Sequence, residues 1–351
     1  MEKENLSGPK VIDLFCGCGG MSHGFIQAGY NVVLGIDSSK DAADTFLLNH
    51  KNSQAIVADL FNENPKKISK KSGIGHADII IGGPPCQGFS IAGKRLISDE
   101  RNLLYKAFVN FVNYFKPRAF VMENVPNIIS MGNGAVKNNI FCDFKSIGYN
   151  VSCNVLLASK FGIPQNRKRV FFVGLRNCSI FEFPSPALQN PPTAADAISD
   201  LPEYSVDDGT FYSKKPESEY QKIMRKDSDG IYNHKTVEHK ERTKEIISLV
   251  PDGGNYKDLP KELQNIRKVN IAWTRLNSQK PSFTIDTGHN HHFHYKFNRV
   301  PTVRESARIQ SFPDNFVFSG RISEQLKQVG NAVPPLLAKL LALHLKKYLN
   351  G

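Results

Sequence analysis

Short apolar runs that end on a glycine or a carboxylate, separated by segments of helical patterning, recur along the first half of the chain and constrain its fold most. Lys10 to Phe15 reads as a buried strand that runs into a glycine-rich turn. A helical pattern follows over Gly20 to Gly29, carried by Met21, Phe25, Ile26 and Ala28. Asn31 to Asp37 is a second strand, and Ser38 is placed to cap a helix running toward Asn49. Ala55 to Leu60, Ala77 to Ile81 and Arg118 to Val125 read as three more strands, with Leu103 to Phe115 helical. Tyr149 to Ala158 and Val170 to Leu175 read as two others. Strand alternating with helix over about 170 residues predicts an α/β fold built on a parallel, doubly wound sheet. Ligands of such sheets sit beyond the carboxyl ends of the strands.

After Leu175 the texture changes to Pro, Gly, Ser and Asp with few periodic segments, which predicts a second, smaller, irregular domain. An amphipathic helix returns from about Pro335, with Leu336, Leu337, Leu340, Leu341 and Leu345 on one side. No apolar run approaches the roughly 18 residues of a membrane span, and MEKENLSGPK lacks the apolar core of a signal peptide. Six cysteines without framework spacing argue for a reducing compartment, so the expectation is a soluble, cytoplasmic protein. The net charge of +12 is uneven: −1 over residues 1–90, +8 over 91–175, −4 over 176–260 and +9 over 261–351. Two basic blocks in a non-basic remainder resemble a polyanion footprint, or else a solvated lysine-rich surface.

Five segments carry chemistry. Phe15-Cys16-Gly17-Cys18-Gly19-Gly20 follows a strand and opens a helix, so its backbone can approach a ligand closely. Asp37 ends the next strand, where a carboxylate can accept from ribose hydroxyls; together they point to an adenosine-type cofactor. No second Cys pair has ligand spacing, so no metal is expected. In Gly82-Gly83-Pro84-Pro85-Cys86-Gln87-Gly88-Phe89-Ser90 two prolines fix the backbone ahead of a cysteine that is either a nucleophile or a structural thiol. Glu123, in Met122-Glu123-Asn124-Val125, closes an apolar strand as a general acid, a cap or an ion-pair partner. Arg167 and Arg169, alternate residues of an extended run, would point together at an anion or carbonyl, or lie solvated. The fifth pair, Arg304–Arg308 and Gln328–Pro335, reads only as a loop entering a helix.

As a set these segments resemble the cytosine-C5 DNA methyltransferases of bacterial restriction–modification systems. DLFCGCGG resembles their cofactor loop, GGPPCQGFS their nucleophile loop and MENV their catalytic acid motif. QNRKRVFFVG, TVRESARIQSFPD and QVGNAVPP resemble their late motifs, and the order matches. Asp37 stands where many members carry Glu.

The resemblance implies a Rossmann-like sheet that binds S-adenosylmethionine and releases S-adenosylhomocysteine. Phe15 would stack near the adenine, the Gly17, Gly19 and Gly20 backbone would hold the methionine part, and Asp37 would take the ribose. Asp59 would take the adenine amino group. Ser38, Leu60 and Leu104 would line the pocket, and Asn331 would return from the C-terminal segment to close it. Cys86 would add to C6 of a cytosine flipped out of duplex DNA, Glu123 would protonate N3, and Arg167 and Arg169 would hold O2. Gln87, Ser90, Lys94 and Arg95 would meet DNA from a mobile lid over 86–104. In the recognition region Arg275, with Lys268, Asn270 and Asn277, are candidates for reading bases. The implied domains are 1–176 for catalysis and cofactor binding, 177–295 for target recognition and 296–351 returning to the catalytic domain. The implied partner is duplex DNA, met by a monomer at no membrane, with any cognate endonuclease acting separately.

Three competing readings differ in substrate or chemistry. A cytosine-C5 RNA methyltransferase would share nucleophile and acid. A non-catalytic DNA-binding relative would not need Cys86, Glu123, Arg167 and Arg169 intact. A nicotinamide dehydrogenase would use the glycine turn and Asp37 but leaves Pro84-Pro85-Cys86 unexplained.

Overall fold

The computed structural model describes residues 8–85, 104–176, 179–186, 190–264, 273–287 and 292–349. Contacts divide the chain into two compact units. One comprises Met1–Leu157, Lys168–Ser185 and Leu337–Gly351, and the other Ala158–Arg167 and Pro186–Leu336.

The first unit is built on a sheet. Its strands are β1 (Lys10–Leu14), β2 (Asn31–Asp37), β3 (Gln54–Val57), β4 (Ile79–Gly82), β5 (Ala119–Asn124) and β6 (Asn150–Leu157); a two-residue β7 (Gln165–Asn166) then precedes the last, β8 (Lys168–Leu175). The sheet order is β3-β2-β1-β4-β5-β8-β6. The five strands from β3 to β5 pair in parallel, as the alternation predicts, but β8 runs antiparallel between β5 and β6. No helix long enough for a parallel crossover stands between β6 and β8, so the chain reverses instead.

Helices α1 (Gly20–Gln27), α2 (Lys40–Asn49), α3 (Pro65–Ser72), α4 (Leu104–Phe115) and α5 (Ala135–Ser146) lie in the connections. The cap of α2 is Ser39, whose Oγ accepts from the Ala42 N–H at 3.4 Å; Ser38, expected there, lies exposed one residue earlier. Ile12, Leu14, Leu34, Ile36, Ile80, Phe120 and Met122 form one core with Ile68 of α3, Phe108 and Phe111 of α4 and Phe144 of α5. Val11, Ile79, Ile81 and Val121, their alternates along the strands, are also buried, so both faces of the sheet are covered. Phe120 stacks on Phe144 with ring centroids 3.9 Å apart and meets Phe108 edge-on at 5.9 Å.

The second unit has little sheet. The strand β9 (Thr274–Arg275) pairs with β11 (His292–Phe293), and β7 with β10 (Ser282–Phe283). Its helices α6 (Ala194–Ile198), α7 (Glu219–Arg225), α8 (Glu241–Ser248), α9 (Val303–Ile309) and α10 (Ile322–Asn331) are short. Buried charge organises them. Arg308, fully buried, donates through Nε and Nη2 to Asp314 at 2.8 and 2.6 Å, and through Nη1 to Asp200 at 2.5 Å. Arg304, also fully buried, donates to the carbonyls of Tyr232, Pro313 and Phe316. Arg299 grips Glu305 with two bonds of 2.8 and 2.7 Å. Burial works to raise the Glu305 pKa, but the Arg299 guanidinium outweighs it and holds the carboxyl well below its usual range.

These bonds revise the expected boundaries. Residues 296–336 belong with the second unit because their arginines bond residues 197–232, and only the part of α11 (Pro335–Leu349) from Leu337 onward belongs to the first. Residues 158–167 also belong to the second.

Phe120→Ala should destabilise the first unit by about 3–5 kcal/mol, read by urea denaturation, because a wide aromatic cavity is left. Arg308→Ala should cost about 3–5 kcal/mol in the second, because buried Asp200 and Asp314 lose the cation they share and keep only Arg225 at 3.1 Å and Arg304 at 3.8 Å. Glu305, depressed in the folded state, contributes stability above its unfolded value of 4.5 and loses it as pH falls below that point. Arg299→Met should therefore flatten the acid limb of the stability profile.

Candidate active site

The parallel register brings the carboxyl ends of five strands to one edge of the first unit: Leu14 opposes Ile36 and Gly82, Asp37 opposes Val57, and Gly82 opposes Met122. The turn after β1 is bent hard. Phe15 has a φ of 58°, a conformation costly for a bulky residue, and Gly17 follows at 54°. The Gly17 N–H donates to Asp37 Oδ2 at 2.8 Å, and Asp37 Oδ1 accepts from the Ser39 N–H at 2.9 Å. A side chain at Gly17 would enter open space with nothing within 4 Å, so the loop leaves room for a ligand against its backbone. Asp59, exposed just beyond β3, accepts from the Phe61 N–H and the Asn62 amide at 3.1 and 2.9 Å. Leu60 is buried, and Leu104 starts α4 half-buried.

Below the loop Asp13 is 1 % exposed and accepts from Ser22 Oγ at 2.6 Å. Burial raises its pKa to about 7, against the Ser22 bond and with help from the Asp37 charge. Burial also pushes Cys18 up to about 12 and Cys16 well above its ordinary value, so both stay thiols at neutral pH. Neither therefore has the thiolate character of a nucleophile.

The second cluster lies at the ends of β4 and β5. Glu123 is buried at the end of β5, and its Oε1 meets Arg169 Nε at 2.9 Å. A Cβ at Gly83 would stand 3.0 Å from Glu123 Oε2, so the chain after β4 lies tightly against this carboxyl. Asn124 Nδ2 donates to the Pro84 carbonyl at 2.9 Å and ties down the segment entering Cys86. Gly83 and Asn124 are missed by reading the motifs residue by residue; the signal was their adjacency to Pro84 and Glu123 in GGPPC and MENV.

Arg167 does not share the face of Arg169. It lies in the second unit, buried, and donates to the carbonyls of Ile285 at 3.2 Å and Gly330 at 2.7 Å. The alternation argument fails because the extended run breaks at Arg167, where β7 ends and β8 begins. Arg275 is not available to read a base. It is 5 % exposed, and its five N–H groups meet the carbonyls of Val250, Ile247, His294 and Phe297 and the Asn298 side chain. Asn331 ends α10, exposed, in the second unit. Cys86, Gln87, Ser90, Lys94 and Arg95, with the expected lid over 86–104 up to Leu103, lie outside the described residues, as do Lys268 and Asn270. Of the four histidines between 289 and 294, His289 and His291 also lie outside them. His292 meets Asp286 at 3.6 Å, and His294 packs on Tyr295 and Phe297.

The family model for the C-5 cytosine-specific DNA methylases matches residues 9–347. The type II methyltransferase M.DdeI of Desulfomicrobium norvegicum is 39% identical, over 96% of this chain and 88% of its own. M1.HphI of Haemophilus parahaemolyticus is 37% identical, over 94% of this chain and 85% of its own. Among solved structures, one described as a prophage-encoded DNA modification methyltransferase (E. coli) superposes with a TM-score of 0.80 at 27% identity, covering 98% of this chain and all of that one. With the family model spanning both units and type II enzymes matching nearly end to end, the chain belongs to the C-5 cytosine-specific DNA methylases and is a methyltransferase.

Proposed function

We propose that the first unit binds S-adenosylmethionine along Phe15–Gly20 and methylates a cytosine extruded from duplex DNA through a covalent bond from Cys86 to C6. The observation that carries this reading is the Glu123–Arg169 pair, with Glu123 close against Gly83 and the adjacent Asn124 bonded to the Pro84 carbonyl, two residues before Cys86 in the sequence. The cradle suits the cofactor. Open space lies at Gly17, Asp37 keeps lone pairs for ribose hydroxyls beside its two backbone bonds, and Asp59 stands exposed for an adenine amino group. Bound there, S-adenosylmethionine supplies an electrophilic methyl on a sulfonium and is left as S-adenosylhomocysteine.

Cytosine C5 is a poor nucleophile. The Cys86 thiolate forms an S–C6 bond, and the C5=C6 electron pair moves so that C5 becomes enamine-like. Glu123 gives N3 a proton and prevents charge from building there. Arg169 orients Glu123 through Nε, donates to the Lys168 carbonyl through Nη1 at 2.8 Å, and offers its remaining N–H groups to the base O2. Once C5 is methylated, a base removes the C5 proton, the electron pair returns, the C6–S bond breaks and N3 gives its proton back. Since C6 must be approached from the ring face, the base leaves the stack, at a cost of about a few kcal/mol.

The RNA-directed alternative gains no support from a DNA methylase family match or from type II relatives. The described residues include no helix long and apolar enough to cross a membrane. The reading is of a monomeric cytoplasmic enzyme at the bacterial nucleoid, with a cognate endonuclease, where one exists, as a separate protein.

Glu123→Gln should slow single-turnover methylation by about 10²–10⁴-fold, and Cys86→Ser should abolish it; near-normal rates in either would refute the assigned role. A duplex carrying 5-fluorocytosine should become irreversibly attached at Cys86 when S-adenosylmethionine is present. Bisulfite sequencing of DNA from expressing cells should show protected cytosines at one sequence, and uniform conversion would overturn the reading.

A further inference from the structure

We propose that a cleft in the second unit, between the short turn Tyr256–Asp258 and the strands β9, β10 and β11, reads a guanine of the target duplex through Lys257 and Asn255. This inference rests on the DNA substrate proposed above and adds residues that select its sequence. The cleft has a volume of about 730 Å³. Asn255, which caps the turn, and Lys257 line it together with Thr274 of β9, Phe283 of β10 and His292 of β11.

Arg275 holds this cleft together although its own side chain is buried away from any base. Its backbone N–H donates to the Gly254 carbonyl at 2.9 Å and its Nε to the Val250 carbonyl at 2.7 Å, which ties β9 to the loop ahead of the turn. Tyr256 packs on a core that includes Leu259, Trp273 and Phe293. The Lys257 carbonyl accepts from the Gln264 amide at 3.0 Å. The backbone around Lys257 is thus fixed while its side chain stays exposed, the arrangement a reading residue needs. On the strand side the Phe283 and His292 rings meet with centroids 4.1 Å apart. β10 pairs with β7, and Thr284 Oγ1 donates to the Asn166 carbonyl at 3.1 Å. Asn166 stands three residues ahead of Arg169 in the chain, and three residues reach at most about 11 Å, or about three base steps along a strand.

The polar groups that the turn offers a ligand are donors. Asn255 Oδ1 already accepts from the Lys257 N–H at 3.0 Å, so its amide presents the two N–H groups of Nδ2. Lys257 presents an ammonium, which donates and cannot accept. Across the cleft Thr284 gives its hydroxyl proton to Asn166, and Asp286 Oδ2 faces His292 Nε2 at 3.6 Å. In the major groove guanine presents two acceptors, O6 and N7, and no donor, whereas adenine and cytosine each require an acceptor for an amino group. A phosphate also takes donors, but the Asp286 carboxylate in the lining repels an anion. The guanine edge is neutral and meets no such repulsion.

The test uses the full chain and the site that bisulfite sequencing defines. Single-turnover methylation is measured on duplexes in which each guanine of that site is replaced in turn by 7-deazaguanine, which lacks the N7 acceptor. The wild-type rate should fall about tenfold at the guanine read by the cleft. Lys257→Met, a change at an exposed position, should slow the unmodified duplex about as much, lose its sensitivity to replacement of that one guanine and keep its sensitivity at any other. Asn255→Asp retains the cap and removes the Nδ2 donors, and should lose sensitivity at the same guanine. In expressing cells either variant should methylate sequences that differ from the wild-type site at that one base pair. Uniform slowing by Lys257→Met on every duplex, with a shallower salt dependence, would mark a phosphate contact and overturn the assignment. An unchanged site and rate in Lys257→Met, or a wild type indifferent to every replacement, would overturn it too. Those results leave the catalytic reading intact, because the wild type still methylates its cytosine; absence of any methylated site in the wild type overturns both.

Discussion

Parallel pairing in register is the constraint on which the site depends. It places Phe15, Asp37, Asp59, Gly83 and Glu123 just at or beyond the ends of adjacent strands, although they are spread over more than a hundred residues of chain. The bond from Gly17 to Asp37 then converts that alignment into a fixed loop. One carboxylate holds two backbone N–H groups from separate turns, so the ligand-binding backbone is ordered before any ligand arrives. The strained φ of Phe15 persists because β1, β2 and α1 around it leave the chain no easier route.

Charge has two separate uses in the chain. The +9 of residues 261–351 includes Arg275, Arg299, Arg304 and Arg308, all buried and bonded to their own chain. A unit with few regular strands and short helices lacks the repeated backbone bonding that organises a sheet. Guanidinium groups, each with five donors, collect the loop carbonyls and carboxylates that would otherwise be buried unpaired. Part of the basic excess is thus internal scaffolding, and sequence charge overstates what faces a polyanion. At Arg169 the same chemistry serves the site, because the acceptor is Glu123 rather than a loop carbonyl.

The sheet strands β1 to β5, the glycine turn and the carboxyl ends were legible because short continuous apolar runs and a strand–turn–helix order leave local marks. The direction of β8 was not, since an apolar strand reads the same either way. The cap of α2 fell on Ser39 rather than Ser38, a shift of one residue that follows from how Asp37 holds the turn. The pairing of Arg167 with Arg169 failed because a change of strand between them leaves no mark in composition.

By itself the amino-acid sequence determined the strand–helix alternation, the order of the motifs and the family, because these depend on local patterning and on residues adjacent in the chain. Only the tertiary structure decided which arginines are internal ties and which one reaches Glu123, where the chain passes between its two units, and that Asp13 lies buried with Ser22 under the loop. Those outcomes depend on acceptors and charges contributed by segments remote in sequence. A guanidinium or carboxyl takes its partner and its protonation from whatever the fold brings within hydrogen-bonding reach, and from how much water the fold takes away.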